Sequence, residues 1–222
     1  MVKFSNMSLL LHRQEHFYII KEKIKEIIVT TFDLLQEKII KDGRIKPGNI
    51  LKVDSFLNHQ IDVPFVSLLG KEIFRRFKDK KIDKIITIEA SGIGIACLTA
   101  VYFGVPVVFA KKSQGANMDK DVYVTDVMSY THGKVNHVAI AKTYISKGEH
   151  VLIMDDFLAN GCAVEGLIDL VKQGGAVIEG IAIGIEKGFQ GGGDALREKG
   201  YDVESLAIIK SMDAKTETIV FR

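Results

Sequence analysis

The stretch Val151-Leu-Ile-Met-Asp-Asp-Phe-Leu-Ala-Asn-Gly-Cys-Ala163 decides how this 222-residue chain is organised. Four apolar residues, Val151 to Met154, predict a buried strand, and two adjacent carboxylates, Asp155 and Asp156, follow at its carboxyl end. A loop from Phe157 to Ala163 then leads into a helical run. Carboxylates accept hydrogen bonds from vicinal hydroxyls, and free backbone N–H groups at a helix start bind phosphate. The pattern therefore favours a sugar-phosphate site, with an ordinary strand–loop–helix crossover as the alternative.

Composition predicts a soluble globular protein. Hydrophobic residues make up 47% of the chain and charged residues 26%, and the length suits one sizeable α/β domain with a small appendage. The net charge is +2 without a long basic run, which argues against nucleic acid as an obligatory partner. An apolar stretch of about twenty residues is missing, which argues against a membrane-spanning helix and predicts a cytoplasmic protein.

The two cysteines, Cys97 and Cys162, offer neither a disulfide framework nor metal-ligand spacing. This usage is typical of a reducing cytosol. Cys97 falls in an apolar helical pattern and is predicted to lie in the core, whereas Cys162 lies in the loop that follows the acid pair.

Periodicity predicts strands alternating with helices along the chain. A helical pattern runs from about Gln14 to Lys41 and stops at Asp42-Gly43, and Asp62 is the predicted N-cap of the next helix. The remaining predictions, in order, are a helix to Phe77, strand 84–89, helix 95–103, strand 105–110, a polar loop 111–121, a hairpin of 122–130 and 134–144, strand 151–154, helix 164–173, strand 176–185, a flexible link 191–193, a short helix 194–199, and one or two strands after residue 201. This order predicts an α/β fold with a mostly parallel sheet and helices on both faces.

Small residues after the strand at 84–89 predict an anion-binding turn at Ala90-Ser-Gly-Ile-Gly94, beside Lys111-Lys112. The Gly92-x-Gly94 pair resembles a dinucleotide fingerprint, but Cys97 stands where the third glycine belongs. The two lysines also stand where that motif needs an acid, so an NAD site is a poor match.

Two more segments are predicted near the acid pair. Glu186-Lys-Gly-Phe189 follows the strand at 176–185, and ligands bind at the carboxyl ends of parallel strands, so Lys187 and Phe189 are expected close to Asp155 and Asp156. The segment Leu51–Asp62 carries Phe56 and Leu57 among polar residues. It suits a lid over a ligand, and an irregular surface connection is equally compatible with the pattern.

The quoted stretch 151–163 resembles the phosphoribosyl-diphosphate (PRPP) motif of the type I phosphoribosyltransferases. Other segments resemble the xanthine-specific members of that family over about Leu34 to Phe221: Leu51-Lys-Val-Asp-Ser-Phe-Leu-Asn-His-Gln-Ile-Asp62, Glu89-Ala-Ser-Gly-Ile93, Gly104-Val-Pro-Val-Val-Phe-Ala-Lys111, Asp155-Asp-Phe-Leu-Ala-Asn-Gly161 and Val203-Glu-Ser-Leu-Ala207. The acid-pair motif indicates only the wider family. The phrase Ser55-Phe-Leu-Asn-His-Gln60 is the specific one.

The resemblance implies the type I phosphoribosyltransferase fold and a role for each matching residue. Asp155 and Asp156 would hold the ribose hydroxyls and stabilise positive charge on the sugar. The PRPP-binding residues would be Ala159, Asn160, Gly161, Cys162 and Ala163 for the 5-phosphate, and Ala90, Ser91, Gly92 and Lys111 for the diphosphate. The xanthine pocket would be lined by Leu51, Asn58, Lys187 and Phe189, with Lys187 donating to the 6-oxo group.

The implied reaction transfers the 5-phosphoribosyl group from PRPP to N9 of xanthine in purine salvage. The implied cofactor is Mg²⁺ on the diphosphate, without a dedicated protein cage, and we expect a homodimer with no nucleic-acid or membrane partner. A hypoxanthine-guanine enzyme remains open because Lys187 would read a 6-oxo group that all three bases share. A PRPP-sensing regulator is the third alternative, although the chain in front of the domain is too short for a winged helix.

The chain departs from the family pattern at several positions. Ile95 replaces an expected proline, Cys162 stands where Gln or Glu is commoner, and the loop from Gly115 to Asp121 matches poorly, so no catalytic residue is assigned there. We expect an amphipathic helical extension at 1–33 for packing or dimerisation. The phosphoribosyltransferase domain would span 34–222, with a small hood formed by about 45–62 and the C-terminal segment.

Overall fold

The computed structural model describes residues 31–113, 121–129 and 134–222. The helices are α1 (Thr31–Asp42), α2 (Val63–Phe77), α3 (Gly92–Phe103), α4 (Cys162–Gln173) and α5 (Gly192–Glu198), and a π-helical turn covers Asp54–Asn58. The strands are β1 (Arg44–Lys46), β2 (Ile50–Lys52), β3 (Lys84–Ile88), β4 (Val107–Ser113), β5 (Val122–Ser129), β6 (Lys134–Ala141), β7 (His150–Leu158), β8 (Val177–Lys187), β9 (Val203–Asp213) and β10 (Thr218–Phe221). Short 3₁₀ turns lie at Lys142–Tyr144 and Gly188–Gln190.

An eight-stranded sheet with the order β10-β9-β8-β7-β3-β4-β6-β5 forms the centre of the molecule. Its five central strands, β9 to β4, run parallel, and antiparallel strands close both edges. The predicted parallel α/β sheet is therefore confirmed, as is the hairpin, whose strands β5 and β6 pair at one edge. The predicted turn of that hairpin lies outside the described residues.

Two hydrophobic clusters cover the two faces of the sheet. Parallel strands that are buried on both faces are apolar along their whole length. One cluster contains side chains of α1, α2, α3 and the segment 51–57, including Phe56 and Phe77. The other contains side chains of α4 and the β5–β6 hairpin, including Val138 and Leu167. β7 contributes to both clusters, through Leu152 and Met154 on one side and Val151 and Ile153 on the other. The strand that carries the acid pair is thus held at the middle of the core.

The hood segment consists of the β1–β2 hairpin, the π-helical turn and the link to α2. Phe56 and Leu57 are almost fully buried, so the turn is anchored in the core by its large side chains. Asp62 accepts a hydrogen bond from the Phe65 amide at 3.2 Å, which confirms the predicted N-cap of α2. The segment is therefore packed against the core and has one polar edge. This excludes the alternative of an irregular surface connection.

Helix α1 ends at Asp42, as predicted, and buries Leu35 and Ile39 completely. The earlier part of the predicted helix, residues 14–30, lies outside the described residues, and so does most of the expected extension 1–33. The boundary at residue 33 stays a prediction, and α1 runs across it. Among the described residues, none of the helices is both long and apolar enough to cross a membrane.

Some sequence predictions were wrong in detail. Cys97 is exposed, because α3 is apolar on nearly every face and periodicity does not select the side that packs. Strand β7 continues through the acids to Leu158, and β4 continues through the lysines to Ser113. The glycine run 191–193 is no free link: Gly192 and Gly193 are buried in the first turn of α5.

Candidate active site

The acid pair lies inside the protein at the carboxyl end of β7. Asp155 is 6% exposed and Asp156 is 4% exposed. The Asp156 amide donates to Asp155 Oδ1 at 3.0 Å, and the Asn58 side-chain amide donates to Asp156 Oδ2 at 2.6 Å. The hood is therefore tied directly to the second acid.

Burial raises the pKa of Asp155 well above its ordinary value, and the neighbouring Asp156 charge raises it further. The Asp156 amide and the Lys112 charge act in the opposite direction and are weaker. Two carboxylates this close cannot both ionise without cost. The site consequently favours any ligand that brings positive charge or hydroxyl donors to the pair.

The loop after β7 turns sharply into α4. Gly161 has φ +94°, a conformation that favours glycine, and the Cys162 amide donates to Asn160 Oδ1 at 3.2 Å. The first intrahelical bond runs from the Glu165 amide to the Gly161 carbonyl. The earlier amides of α4 precede that bond and belong to the first turn, where a helix binds anions.

Cys162 is the first residue of α4, and its thiol is half-buried. Burial raises the pKa of the Cys162 thiol, and the nearby Glu165 carboxylate raises it further. A protonated thiol is a poor nucleophile. The side chain therefore contributes packing, and the backbone amides of the turn are the groups that can bind an anion.

The turn at Ala90–Gly92 lies across β3 from the acid pair. The Glu89–Ala90 peptide bond is cis, and the Ile93 amide donates to the Ala90 carbonyl at 3.2 Å. A Cβ on Gly92 would collide with Thr87 Oγ1 and would lie 2.8 Å from Asp155 Oδ1. Gly92 therefore allows the turn to approach the acid pair closely.

The two lysines of β4 have different surroundings, because successive side chains of a strand point to opposite faces. The Lys111 ammonium lies 5.8 Å from the centre of the Phe109 ring. Lys112 donates its backbone N–H to Glu89 Oε1 at 2.5 Å, and its charge acts on Asp155. The sequence analysis placed both lysines beside the anion-binding turn and assigned a PRPP role only to Lys111.

Lys187 ends β8 and reaches the hood. Its ammonium donates to the Asn49 carbonyl at 3.0 Å and lies 5.6 Å from the centre of the Phe157 ring. Burial lowers the pKa of Lys187. Phe189 follows in the 3₁₀ turn and is 37% exposed. Phe157 was not selected from the sequence, although it directly follows the acid pair.

The two hood residues selected from the sequence, Leu51 and Asn58, have different surroundings. Leu51 is buried and packs in the cluster that contains Phe56. Asn58 is half-buried, and its Oδ1 is a buried acceptor with no hydrogen-bond partner among the described residues. A buried amide oxygen without a donor favours a ligand that supplies one.

The structure brings only some of the selected residues together through short contacts. Asn58, the acid pair and Gly92 form one connected group, and the loop 159–161 contacts Gly192 at the start of α5. Lys187 contacts the hood at Asn49. In the part of the chain that the structure describes, there is no group of three or more His, Cys, Asp or Glu side chains that could hold a metal ion.

The sequence matches the family model described as a phosphoribosyl transferase domain over residues 53–220. The match covers more than half of the chain and includes the acid pair, the turn at 90–92 and Lys187. The chain belongs to the phosphoribosyltransferase family.

Curated relatives match this phosphoribosyltransferase over nearly their whole length. A protein of Bifidobacterium adolescentis named xanthine phosphoribosyltransferase is 59% identical over 189 residues, which is 85% of this chain and 98% of the relative. A protein of the same name from Lachnoclostridium phytofermentans is 57% identical over 189 residues, which is 85% of this chain and 97% of the relative.

Solved structures with the same fold are more distant in sequence. Adenine phosphoribosyltransferase from Rhodothermus marinus has a TM-score of 0.65 at 21% identity, covering 81% of this chain and 98% of that one. The enzyme from Saccharomyces cerevisiae has a TM-score of 0.64 at 22% identity, covering 81% and 99%. These likenesses confirm the type I phosphoribosyltransferase fold for this phosphoribosyltransferase.

Proposed function

We propose that this phosphoribosyltransferase transfers the 5-phosphoribosyl group from PRPP to N9 of xanthine, releasing diphosphate in purine salvage. The observation that carries the proposal is the 59% identity to a relative of that name along 98% of the relative's length. The buried acid pair and the Lys187 ammonium supply the two chemistries that the reaction needs, one for the ribose and one for an oxo group on the base.

The acid pair is the proposed ribose site. The hydroxyls of the sugar donate to Asp155 and Asp156, and the turn Ala159–Ala163 donates backbone N–H groups to the 5-phosphate. As the bond to diphosphate breaks, the anomeric carbon becomes positively charged. That charge favours the ionised form of Asp155, which burial opposes in the ligand-free protein. The carboxylates are thus more stabilising in the transition state than in the ground state, which is the condition for catalysis.

The diphosphate is the proposed ligand of the turn Ala90–Gly92 and of the lysines on β4, Lys111 and Lys112. Phosphoribosyltransferases generally use Mg²⁺ together with PRPP. The residues present fit an ion held mainly by the substrate, because the acid pair is only two carboxylates and Asn58 already occupies one of them. When bound, Mg²⁺ neutralises charge on the leaving diphosphate. The protein's own contribution is to orient both substrates and exclude water.

The base is the proposed ligand of the space between the hood and β8. Lys187 donates to the Asn49 carbonyl in the ligand-free protein, so a base with a 6-oxo group offers an equivalent acceptor. Phe157 offers apolar surface beside that ammonium, and the partly exposed Phe189 follows two residues after Lys187. Asn58 brings an unpartnered amide oxygen, which accepts from a purine N–H.

The experiment that tests the proposal measures diphosphate release with PRPP and each of xanthine, guanine and hypoxanthine. We expect the highest kcat/KM with xanthine. A higher value with guanine or hypoxanthine would make the protein a hypoxanthine-guanine enzyme, since Lys187 reads a group that all three bases carry. Absence of turnover with all three bases would contradict the proposed reaction and would leave a protein that binds PRPP without catalysis. The double variant Asp155→Asn/Asp156→Asn is the negative control for turnover.

The assembly and location of the protein are parts of the same proposal. We expect a cytoplasmic homodimer. Sedimentation of the purified protein tests the dimer, and a single species of monomer mass would contradict it.

A further inference from the structure

An ion network that extends from a buried carboxylate to the surface adjoins the segment Lys187–Gln190, which carries the proposed base-binding side chains. Glu186 is completely buried one residue before that segment. Its carboxylate accepts from Arg197 Nη1 at 3.0 Å, from Arg197 Nη2 at 2.7 Å and from Ser205 Oγ at 2.5 Å. The two bonds from one guanidinium fix both distance and orientation, which a single ion pair does not.

Arg222 extends the network onto the segment itself. Its guanidinium donates to Asp194 Oδ1 at 2.9 Å and to Asp194 Oδ2 at 2.8 Å, and it also reaches the Gly188 carbonyl at 3.3 Å. Asp194 additionally accepts from Arg197 at 3.4 Å. The backbone N–H of Arg222 bonds the Ile208 carbonyl of β9. Two arginines therefore share one aspartate, and one of them holds the backbone directly after Lys187.

Glycines allow these groups to pack against the main chain. A Cβ on Gly193 would collide with the Glu186 carboxylate, and a Cβ on Gly188 would lie 3.1 Å from the Arg222 guanidinium carbon. Among the described residues, the Lys187 ammonium hydrogen-bonds the Asn49 carbonyl and lies beside the Phe157 ring. The ammonium is therefore placed by the backbone on either side of Lys187, and the network holds that backbone.

We propose that Glu186, Arg197, Asp194 and Arg222 form a positioning network for the purine site. None of them touches a substrate; they hold the main chain so that Lys187 meets the base at the correct distance. The inference rests on the base-binding role of Lys187 given above. If the network served stability alone, its removal would lower the free energy of unfolding and would affect the two substrates equally.

The test is Arg222→Ala, measured as separate KM values for xanthine and for PRPP. We expect KM for xanthine to rise about tenfold while KM for PRPP stays within about twofold, because a small displacement of one substrate-positioning group is costly. Arg222→Lys keeps the charge and loses the fork, so we expect an intermediate KM for xanthine. A side chain at this position is partly exposed, at 41%, so the variants are expected to fold.

The matched control is Arg75→Ala, which removes another arginine with two bonds to a carboxylate, here Glu72 on the surface of α2. We expect both KM values to stay at the wild-type level. Equal rises in the two KM values of Arg222→Ala, or no change in either, would overturn the inference. Glu186→Gln supplies a second variant, for which the same one-sided rise is expected.

The outcomes separate this inference from the proposed function. A wild-type protein that does not turn over xanthine refutes the substrate, and the KM comparison is then made with whichever of guanine and hypoxanthine it uses. A wild-type protein that turns over xanthine, together with an unchanged Arg222→Ala variant, refutes the network and leaves the function standing.

Discussion

The Asn58 amide donates a 2.6 Å hydrogen bond to the Asp156 carboxylate, which lies 98 residues further along the chain. Asn58 ends the π-helical turn of the hood, and Asp156 lies in the central strand β7. The bond therefore connects the proposed base pocket to the proposed ribose site. A ligand that reorients Asp156 changes the surroundings of Asn58 at the same time.

Replacing both acids by asparagine tests their role with the ribose. The change keeps the shape and removes the charge, so we expect kcat to fall by a factor of about 10² to 10³, the loss that follows from removing one or more electrostatic contacts to a transition state. Steady-state rates and circular dichroism are the measurements. Asp169→Asn on the exposed face of α4 is the control, and normal kinetics in the acid-pair variant would contradict the assignment.

The raised pKa of Asp155 predicts how stability depends on pH. The folded protein holds the Asp155 proton to a higher pH than the unfolded chain, whose value is near 3.8. Unfolding then releases a proton, so the free energy of unfolding falls as the pH rises above that value. Asp155→Asn removes this penalty, and we expect it to be more stable than wild type at pH 8.

Thermal or urea unfolding of wild type and Asp155→Asn at pH 4 and pH 8 measures the effect. We expect the difference between the two proteins to shrink at pH 4, because this pH lies close to the pKa of the unfolded carboxyl and little of the penalty has developed there. An equal difference at both pH values would show that the Asp155 carboxylate is not strained by burial.

Replacing Lys187 by alanine tests base recognition. The ammonium is the proposed donor to the 6-oxo group, so we expect KM for the base to rise about tenfold or more and KM for PRPP to change by less than about threefold, since a lost charge-assisted hydrogen bond costs roughly 1.5–3 kcal/mol. Separate titrations of the two substrates give both values. Lys199→Ala, directly after the end of α5, is the control, and a larger rise for PRPP would refute the role of Lys187.

Gly192 lies between the proposed phosphate turn, Ala159–Ala163, and the proposed positioning network around Glu186. Its amide donates to the Ala159 carbonyl at 3.1 Å, and a Cβ there would lie 2.5 Å from the Asn160 carbonyl carbon. Gly192→Ala is therefore expected to displace the phosphate turn and to raise KM for PRPP about tenfold. Gly193→Ala meets Glu186 instead, so its larger effect is expected on KM for the base. Identical effects of the two variants would contradict this division.

Deleting residues 1–30 tests the expected extension. The relative from Bifidobacterium adolescentis aligns over 189 residues and covers 98% of its own length, so we expect that the proposed reaction does not need the residues of this chain that the relative lacks. We expect kcat and both KM values to stay within about twofold of wild type. Loss of turnover in a deletion variant that is still folded and still dimeric would show that the segment takes part in catalysis.

Local sequence patterns were sufficient for the strand at 151–154, for the acid pair at its end and for the N-cap at Asp62, because each depends on residues close together in the chain. The rule that ligands bind at the carboxyl ends of parallel strands then grouped Lys187 with the acids. Patterns failed at Cys97, because a helix that is apolar all round does not reveal which face its neighbours cover. They also failed for the glycine run at 191–193, whose burial comes from distant backbone.

The sequence by itself determined the α/β fold and the position of the acid pair Asp155 and Asp156 in a central strand, and its family resemblance led to the proposal that Lys187 reads the base. Only the tertiary structure decided the contacts between distant segments: Asn58 with Asp156, Lys187 with Asn49, and Arg222 with Gly188. The reason is physical, since hydrogen bonds and ion pairs act over a few ångströms. Which side chains come that close is set by the packing of the whole core.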